Sequence, residues 1–343
     1  SNFTRGVAAA LLGDVDHRGH LHADIAVLEL DEAYAVHFVA SVSPTYCLLL
    51  NVMRDQLDRF GEIDKTAELL RTVAIHTTKG VVINRDDPRL TSSAFLNSLT
   101  TPITSYGVSP SLRATFPSDD SLRDDRKNSK PPTAFHDDTV LEQFQDHSAT
   151  IRFNHTSYDV QLKLNGIYNV QNAVGAVAVT RMILGDNLDT QAMLSALSNV
   201  RPAFGRGETI TYNDKKIELI LVKNPAGFRL GLKSFDLKGA DIMIAINDDY
   251  ADGRDMSWLW DVDFDSLAET GVSMVSGIRA YDMALRLQYD EIPVATVEPN
   301  LSRALKNFLA SEHNPTKRIF CTYTAMLALR RELSKKTSIE VVR

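Results

Sequence analysis

Acidic and amide side chains cluster at the ends of three apolar runs in the first half of the sequence. They are Glu29, Asp31, Asn51, Asp55, Asn84, Asp86 and Asp87. A single acid that follows a strand is often a helix N-cap, whose side chain accepts backbone N–H groups. Oxygen ligands at three strand ends also suit Mg²⁺, which binds one or two protein carboxylates and leaves its other positions to water and phosphate. Capping stays open for each position, and the whole set favours a magnesium–nucleotide site.

The second half of the sequence again places polar loops after apolar runs, as KNPAG, NDDYADGRD, SGIRAYD and TYTAM. The segment DDYADGRDMSWLWD, residues 248–261, is rich in aspartate and holds both tryptophans of the chain, Trp258 and Trp260. A solvated loop is one interpretation of this segment. Polar loops rarely carry two tryptophans, however, and tryptophan is enriched at protein interfaces. A partner surface is therefore a second interpretation.

The elements that carry these side chains follow a regular alternation. Short apolar runs alternate with helix-like stretches, which is typical of repeated βα units and a mainly parallel sheet. The first predicted strands are Asp24–Leu30, Tyr46–Val52 and Gly80–Asn84, and a helix is predicted over Ile63–His76. Because open α/β sheets bind ligands beyond the carboxyl ends of their strands, the acidic set lies where a ligand would bind.

The composition changes after residue 108. Residues 109–135 are rich in serine, proline and alternating charges and are predicted to be exposed, and the insertion as a whole is predicted over residues 109–150. Ala149–Phe153 and Ser157–Leu164 alternate polar and apolar residues, as a small antiparallel sheet would. The sequence GIYNVQNAVGAVAVTRMIL then predicts a helix.

A second α/β unit is predicted after Arg201. Its strand-like runs are Ile217–Val222, Asp241–Ile246, Gly271–Ser276, Ile292–Val297 and Arg318–Tyr323. We therefore expect an α/β protein of two domains, residues 1–202 and 203–343, with a boundary near Arg201–Gly205. The first domain would hold a mainly parallel sheet with a small antiparallel sheet, and the second would be Rossmann-like.

Bulk properties exclude several classes of protein. The net charge of −7 and the pI near 5.7 argue against a nucleic-acid binder, which normally shows a basic face. Two cysteines, Cys47 and Cys321, lie in apolar runs and give no disulfide framework. No apolar stretch approaches the roughly 18 residues of a membrane span. We expect a cytoplasmic protein.

Five motifs, in this order, resemble the central domain and domain junction of the Mur ligases: VLELDE, LNVMRDQLDRFGEID, VVINRDDP, GIYNVQNAVGA and FGRGE. The second half carries LVKNPAG, DGRDMSWLWDVDF, SGIRAYDMALRL and TYTAML, which resemble the C-terminal domain of the MurT family within that group. The resemblance covers nearly the whole chain and is weakest over residues 109–150. It implies a Mur ligase central domain followed by a Rossmann-like C-terminal domain.

The resemblance also implies a role for individual positions. Glu29 is similar to a carboxylate that holds Mg²⁺, and Asp55 lies in the loop that lines the phosphate and metal region. Asn169 and Asn172 resemble residues beside the adenine of ATP. Two further residues, Arg206 and Asn224, are similar to an arginine that contacts the nucleotide and to a segment that closes over it.

The reaction implied by the resemblance is ATP-dependent amidation of the D-glutamate α-carboxylate in the lipid II stem peptide, through an acyl phosphate. Ammonia would come from a partner similar to the class I glutaminase GatD, in a heterodimer that meets its lipid-linked substrate at the inner face of the membrane. Asp255 is the candidate for a carboxylate that assists the partner's catalytic Cys–His pair. Asp252 and Asp261 remain alternatives for that role.

The sequence departs from the family pattern at three points. No phosphate-binding loop of the type GxxxxGK(S/T) occurs; we expect it upstream of Ser1 in the natural protein, and we expect this chain alone to be inactive. Residues 109–150 hold none of the cysteines of the zinc ribbon found in many relatives, so no structural zinc is expected. Gln56 stands where many Mur ligases have a metal-binding histidine, which leaves the second metal ligand undefined.

Two other functions remain compatible with the sequence. A conventional Mur ligase, or a relative of folylpolyglutamate synthase, would add an amino acid instead of ammonia. A non-catalytic scaffold that binds a nucleotide or a partner is the second, and the absence of the phosphate-binding loop from the sequence favours it. The segments DGRDMSWLWD and TYTAML favour the amidating enzyme over the amino-acid ligase.

Overall fold

The chain folds into two α/β units, each built on one sheet. A computed structural model describes residues 4–53, 63–123, 135, 138–145, 147–164, 166–201 and 206–338. In this part of the chain, the strands of the first sheet lie between residues 46 and 161, and those of the second lie between residues 206 and 321. The predicted α/β fold class is thereby confirmed.

The first sheet has six strands in the order of the chain. They are β1 (Tyr46–Leu49), β2 (Gly80–Asn84), β3 (Ile103–Val108), β4 (Thr139–Gln145), β5 (Ser148–Phe153) and β6 (Thr156–Gln161). Strands β1 to β4 are parallel, and β5 and β6 are antiparallel to their neighbours. The antiparallel strands therefore extend the parallel sheet and do not form a separate one.

Seven α-helices belong to this unit within the described residues. They are α1 (Thr4–Asp14), α2 (Glu32–Val39), α3 (Ile63–Ile75), α4 (Ser93–Leu96), α5 (Asp119–Arg123), α6 (Ile167–Leu184) and α7 (Thr190–Asn199). Helix α3 packs on one face and α6 on the other. Gly175 allows α6 to lie close to the sheet, because a Cβ there would be 3.1 Å from the ring of Tyr106.

The second sheet has the order β10-β9-β11-β8-β7, with β7 antiparallel at one edge and the other strands parallel. Its strands are β7 (Arg206–Tyr212), β8 (Lys215–Leu221), β9 (Ala240–Ala245), β10 (Met274–Ser276) and β11 (Thr316–Cys321). The predicted strand Ile292–Val297 forms only two isolated parallel bridges to the β10 edge.

Four helices complete the second unit within the described residues: α8 (Pro225–Ser234), α9 (Ala280–Tyr289), α10 (Leu301–Ala310) and α11 (Tyr323–Ser334). Helices α8 and α9 pack on one face of the sheet, and α10 and α11 pack on the other. Among the helices of the described residues, none is both long and apolar enough to cross a membrane.

The predicted strand Asp24–Leu30 is not formed. The segment runs as irregular backbone, and Val27 is 91% exposed. An alternating apolar pattern produces a strand only where a neighbour binds its N–H and C=O groups. No strand among the described residues pairs with this segment.

The predicted insertion over 109–150 is too long. Residues 139–145 form β4, a strand inside the sheet whose first three residues are buried. Its first half therefore belongs to the core, although the second half alternates with exposed polar side chains. The serine- and proline-rich composition describes only the residues before β4.

The two units meet where α8 lies against α6. The backbone N–H of Ile167 donates to the hydroxyl of Ser234 at 3.2 Å. Leu230 of α8 is buried in the hydrophobic core formed by α6 and the first sheet. The proposed boundary near Arg201–Gly205 falls between α7 and β7, and residues 202–205 lie outside the described part of the chain.

Candidate functional site

At the carboxyl end of the first sheet, Asp87 joins two strands and a turn. Its carboxylate accepts hydrogen bonds from the backbone N–H of Val52 at 2.6 Å, of Arg89 at 2.9 Å and of Leu90 at 3.2 Å. Burial raises the pKa of Asp87, although these bonds oppose the rise. The side chain thus links the residues after β1 to those after β2. It accepts backbone N–H groups, as the capping interpretation of the sequence predicted.

Asp86 has a similar structural role. One carboxylate oxygen accepts the backbone N–H of Val108, at the end of β3, at 2.7 Å. Its own backbone N–H donates to the side chain of Asn84 at 3.0 Å. Burial raises the pKa of Asp86, and the bond from Val108 and the nearby arginines Arg85 and Arg113 counteract it. Both acids after β2 therefore bind backbone.

Of the two predicted acids before β1, one caps a helix and the other lies on the surface. Asp31 is the N-cap of α2 and accepts the backbone N–H of Ala33 at 3.1 Å and of Tyr34 at 3.2 Å. Glu29 lies on the surface. Asp55 and Gln56 lie outside the described residues. Within the described ranges, no group of three His, Cys, Asp or Glu side chains is arranged to hold a metal ion.

The predicted adenine residues lie in the first turns of α6. Asn169 is buried and Asn172 is half-buried, and their spacing of three places them on one side of the helix. Gly166 is the N-cap of the helix, and its φ of +86° places it in the left-handed region. The structure therefore brings these two asparagines together.

The other two predicted nucleotide residues belong to the second unit. Asn224 is the N-cap of α8, where its side-chain oxygen accepts the backbone N–H of Gly227 at 2.6 Å. Ser234, at the opposite end of α8, contacts α6. Asn224 lies about 15 Å from Ser234 along the helix axis. Arg206 is the first residue of β7, and its side chain lies outside what the structure describes.

A hydrogen-bond network joins the carboxyl ends of the strands in the second sheet. Asn247, after β9, receives the N–H of Ile278 at 3.1 Å and donates to the hydroxyl of Thr324 at 3.1 Å. Asp252 is 2% exposed and accepts the N–H of Thr324 at 2.8 Å and that of Asp249 at 3.2 Å. Burial raises the pKa of Asp252, with the bonds from Thr324 acting against it. This network fixes the loop after β9 to the start of α11.

Asp255 lies three residues further along the same loop, on the surface. Its carboxylate accepts the backbone N–H of Ser257 at 2.9 Å. Hydrogen bonds from the side chain and the backbone of Ser257 lower the pKa of Asp255. Its carboxylate therefore remains ionised at neutral pH and can contact another molecule. Asp261 is also exposed, and its backbone carbonyl accepts a hydrogen bond from Arg229.

The sequence did not single out Thr324, Asn247 or Arg279, although all three lie in its polar motifs. Arg279 pairs with Asp248 at 2.6 Å and with Asp282 at 3.3 Å. Apart from Asp282, which is three residues from Arg279, the partners named here for these residues are 31 to 77 positions away in the sequence. The sequence contained one indication of these residues: TYTAM and SGIRAYD both follow predicted strands. Both motifs are therefore expected at one edge of the sheet.

Comparison with known proteins identifies the family. The Mur ligase middle domain matches residues 14–180, and the MurT ligase C-terminal domain matches residues 221–326. Subunit MurT of the lipid II isoglutaminyl synthase (glutamine-hydrolyzing) of Streptococcus pneumoniae is 29% identical, over 91% of this chain and 75% of that protein. Its counterpart in Staphylococcus aureus is 27% identical, over 80% and 66%.

The fold is shared with solved Mur ligases. The MurF ligase of Thermotoga maritima in complex with ADP has a TM-score of 0.60 at 16% identity, over 88% of this chain and 65% of that structure. The chain thus spans about two thirds to three quarters of the proteins that it resembles. The resemblance read from the sequence motifs is confirmed: in sequence and fold, the chain is a MurT-like Mur ligase.

Proposed function

We propose that the chain is the synthetase subunit of a glutamine-dependent enzyme that amidates the D-glutamate α-carboxylate of the lipid II stem peptide to D-isoglutamine. The observation that carries the proposal is the match of residues 221–326 to the MurT ligase C-terminal domain, because that region holds the exposed Asp255. The relatives named as subunits of lipid II isoglutaminyl synthase support the same substrate. Such a subunit would act at the inner face of the membrane, where it meets a lipid-linked substrate.

The chemistry requires activation of a carboxylate, which is a poor electrophile. Transfer of the γ-phosphoryl group of ATP to a carboxylate oxygen gives an acyl phosphate and ADP. The lone pair of ammonia then attacks the acyl carbon, the C–N bond forms, the bond to the phosphate oxygen breaks, and a proton leaves the new amide. Asn169 and Asn172 would bind the nucleotide, with Arg206 and Asn224 contributing from the second unit.

Mg²⁺ bound with the nucleotide would offset phosphate charge. Glu29, whose side chain lies on the surface, is the carboxylate that the family resemblance assigns to Mg²⁺. Mg²⁺ needs only one or two protein carboxylates. Glu29 would supply one and Asp55 a second.

The ammonia source would be a GatD-like glutaminase with a catalytic Cys–His pair. Such a pair works best when a carboxylate orients the imidazole and stabilises its protonated form, the role of aspartate in the serine-protease triad. Among the three candidates, Asp252 is buried and bonded to Thr324, whereas Asp255 is exposed and ionised. Asp261 is also exposed, but it lines a cleft together with Arg229 and Arg286. Asp255 is therefore the proposed carboxylate.

Substitution of Asp255 tests this function. In the full-length complex, Asp255→Asn should reduce glutamine-driven amidation by about 10⁴, by analogy with the same change in the serine-protease triad. Amidation fed by high external ammonium should be retained, since phosphoryl transfer uses other residues. Product formation with each nitrogen source is the measurement, with Asp261→Asn as the matched exposed control and Asp252→Asn in parallel. Loss of both activities together would indicate a structural role, and full activity of all three variants would rule out the shared triad.

A further inference from the structure

Helix α6, which carries Asn169 and Asn172, begins without a capping side chain of its own. Its N-cap is Gly166, which has no side chain to accept a backbone N–H group. The first four N–H groups of a helix lack partners within the helix, and a serine or asparagine at the N-cap usually binds one of them. Either residue would be strained at position 166, because φ is +86° and a Cβ would lie 2.8 Å from the ring of Tyr168. A capping side chain for α6 therefore has to come from another part of the chain.

The hydroxyl of Ser234, at the end of α8 in the second unit, binds the start of α6. It accepts the backbone N–H of Ile167, the first residue of α6, at 3.2 Å. The same hydroxyl donates to the carbonyl of Leu230, one turn earlier in α8, at 2.6 Å. A serine hydroxyl has one proton and two lone pairs. Because its proton is bound to Leu230, the hydroxyl meets the N–H of Ile167 as an acceptor, which is what a helix cap requires.

Packing holds Ser234 at this position. Leu230 and Ser234 are four residues apart and therefore lie on the same side of α8. Leu230 is buried in the hydrophobic core of the first unit, and Ile167 belongs to the same core. Ser234 is half-buried at this contact, which reduces the competition of water for its hydroxyl. The side of α8 that carries Ser234 is thus held against the start of α6.

The bond from Ser234 acts on the turn that carries the predicted adenine residues. Ile167 precedes Asn169 by two residues, and the N–H of Asn169 in turn donates to the carbonyl of Gly166 at 3.1 Å. Asn172 follows in the next turn of the helix. A side chain that binds a ligand must be held to within about 0.5 Å of its productive position, which depends on the backbone that carries it. Without the bond to Ser234, this first turn would lose its capping side chain.

We propose that Ser234 is a positioning residue for the nucleotide site: it caps α6 from the second unit and so holds Asn169 and Asn172 in place for the adenine of ATP. The inference rests on the proposed function, which places the nucleotide beside these two asparagines. Ser234 itself contacts neither the nucleotide nor the reacting groups. A second-unit residue outside the predicted nucleotide set thereby determines the shape of a site in the first unit.

The test measures the steady-state kinetics of the full-length complex with Ser234 substituted. Ser234→Ala removes the cap and should raise the KM for ATP roughly fivefold, the typical effect of losing a helix cap. The kcat and the KM for glutamine should not change, because the lost interaction contributes equally to binding of ATP and of the transition state. Ser234→Thr keeps a capping hydroxyl and should stay within about twofold of the unmodified complex in its KM for ATP.

Ser198→Ala is the matched control. Ser198 is also half-buried and also donates to the carbonyl four residues earlier, that of Leu194, at 3.1 Å. Within the described residues its hydroxyl receives no N–H group from another helix, so Ser198→Ala should leave the KM for ATP unchanged. Hydrogen exchange, followed by mass spectrometry of a peptide that covers residues 166–172, reports the cap directly. It should become faster in Ser234→Ala and stay unchanged in Ser198→Ala.

The outcomes separate the positioning role from the proposed function. If the unmodified complex uses ATP and Ser234→Ala has the same KM for ATP as Ser198→Ala, the positioning role is wrong and the proposed function stands. If Ser234→Ala also lowers kcat and raises the KM for glutamine, Ser234 supports the fold in general and the inference is overturned. If the unmodified complex shows no ATP-dependent amidation, the proposed function fails and the inference fails with it.

Discussion

Lys317 and Asp241 form a buried ion pair at the amino ends of β11 and β9. Their side chains are 0% and 4% exposed, and the register of the two strands places them side by side. Asp241 also receives hydrogen bonds from His313 at 2.9 Å and Asn314 at 3.0 Å, while Lys317 donates to the carbonyl of Ser311 at 2.8 Å. Because both charges are paired and bonded, their burial is tolerated.

Removal of one partner should be costly at this position. Asp241→Asn leaves the ammonium of Lys317 buried without its counter-charge, and we expect a loss of roughly 3–5 kcal/mol in the free energy of unfolding. Urea unfolding measures it. The double variant Asp241→Asn, Lys317→Met removes both charges and should recover most of the loss. A single variant that loses less than about 1 kcal/mol would contradict this account.

The same pair predicts a pH dependence. Burial alone would raise the pKa of Asp241, but the bonds from Lys317, His313 and Asn314 outweigh it and lower the pKa below the ordinary value of 3.8. A depressed folded-state pKa means that the stabilisation is complete above pH 3.8 and is lost as the pH falls through the folded-state value. The difference in stability between the wild type and Asp241→Asn should therefore shrink below pH 3.8.

At the scale of elements, Gly277 determines how β10 connects to α9. Its φ is +96°, and a Cβ there would clash with the backbone carbonyl of Ile246. The close approach lets the turn reach Asn247, whose side chain binds the next residue, Ile278. Only glycine combines this conformation with this contact.

Gly277→Ala should therefore destabilise the second unit by roughly 1–3 kcal/mol, the usual cost of a strained backbone position. Gly239→Ala is the control, because a Cβ there meets nothing within 4 Å and its φ is not positive. We expect the control to be neutral or slightly stabilising, by up to about 1 kcal/mol. Thermal unfolding of both variants is the measurement. If the two substitutions changed the unfolding temperature equally, the expected clash with Ile246 would be contradicted.

For the whole molecule, the relation between the two units depends on a few residues of α8. Leu230 points out of its own unit and is buried in the core of the first, whereas Leu232 of the same helix is buried in the core of the second. The contact between α6 and α8 therefore couples the two cores.

Substitution of Leu230 should uncouple the units. Leu230→Ala and Leu232→Ala should each cost roughly 2–5 kcal/mol. Leu232→Ala should lower the stability of the second unit and keep the contact intact. Leu230→Ala should in addition separate the calorimetric unfolding into two transitions, because the buried link between the units is lost. One cooperative transition in both variants would show that other contacts couple the units.

The sequence by itself determined the alternation of strands and helices, the extent of α3 and α6, and the family, because these depend on local periodicity and on short motifs. Only the tertiary structure decided which acids are committed to capping, since Asp87 binds Val52, 35 residues away. It also decided that Asp24–Leu30 joins neither sheet of the described residues and that β4 enters the first sheet. A local pattern specifies which face of a segment is apolar, whereas strand pairing and the burial of a charge depend on neighbours that the chain brings together from a distance.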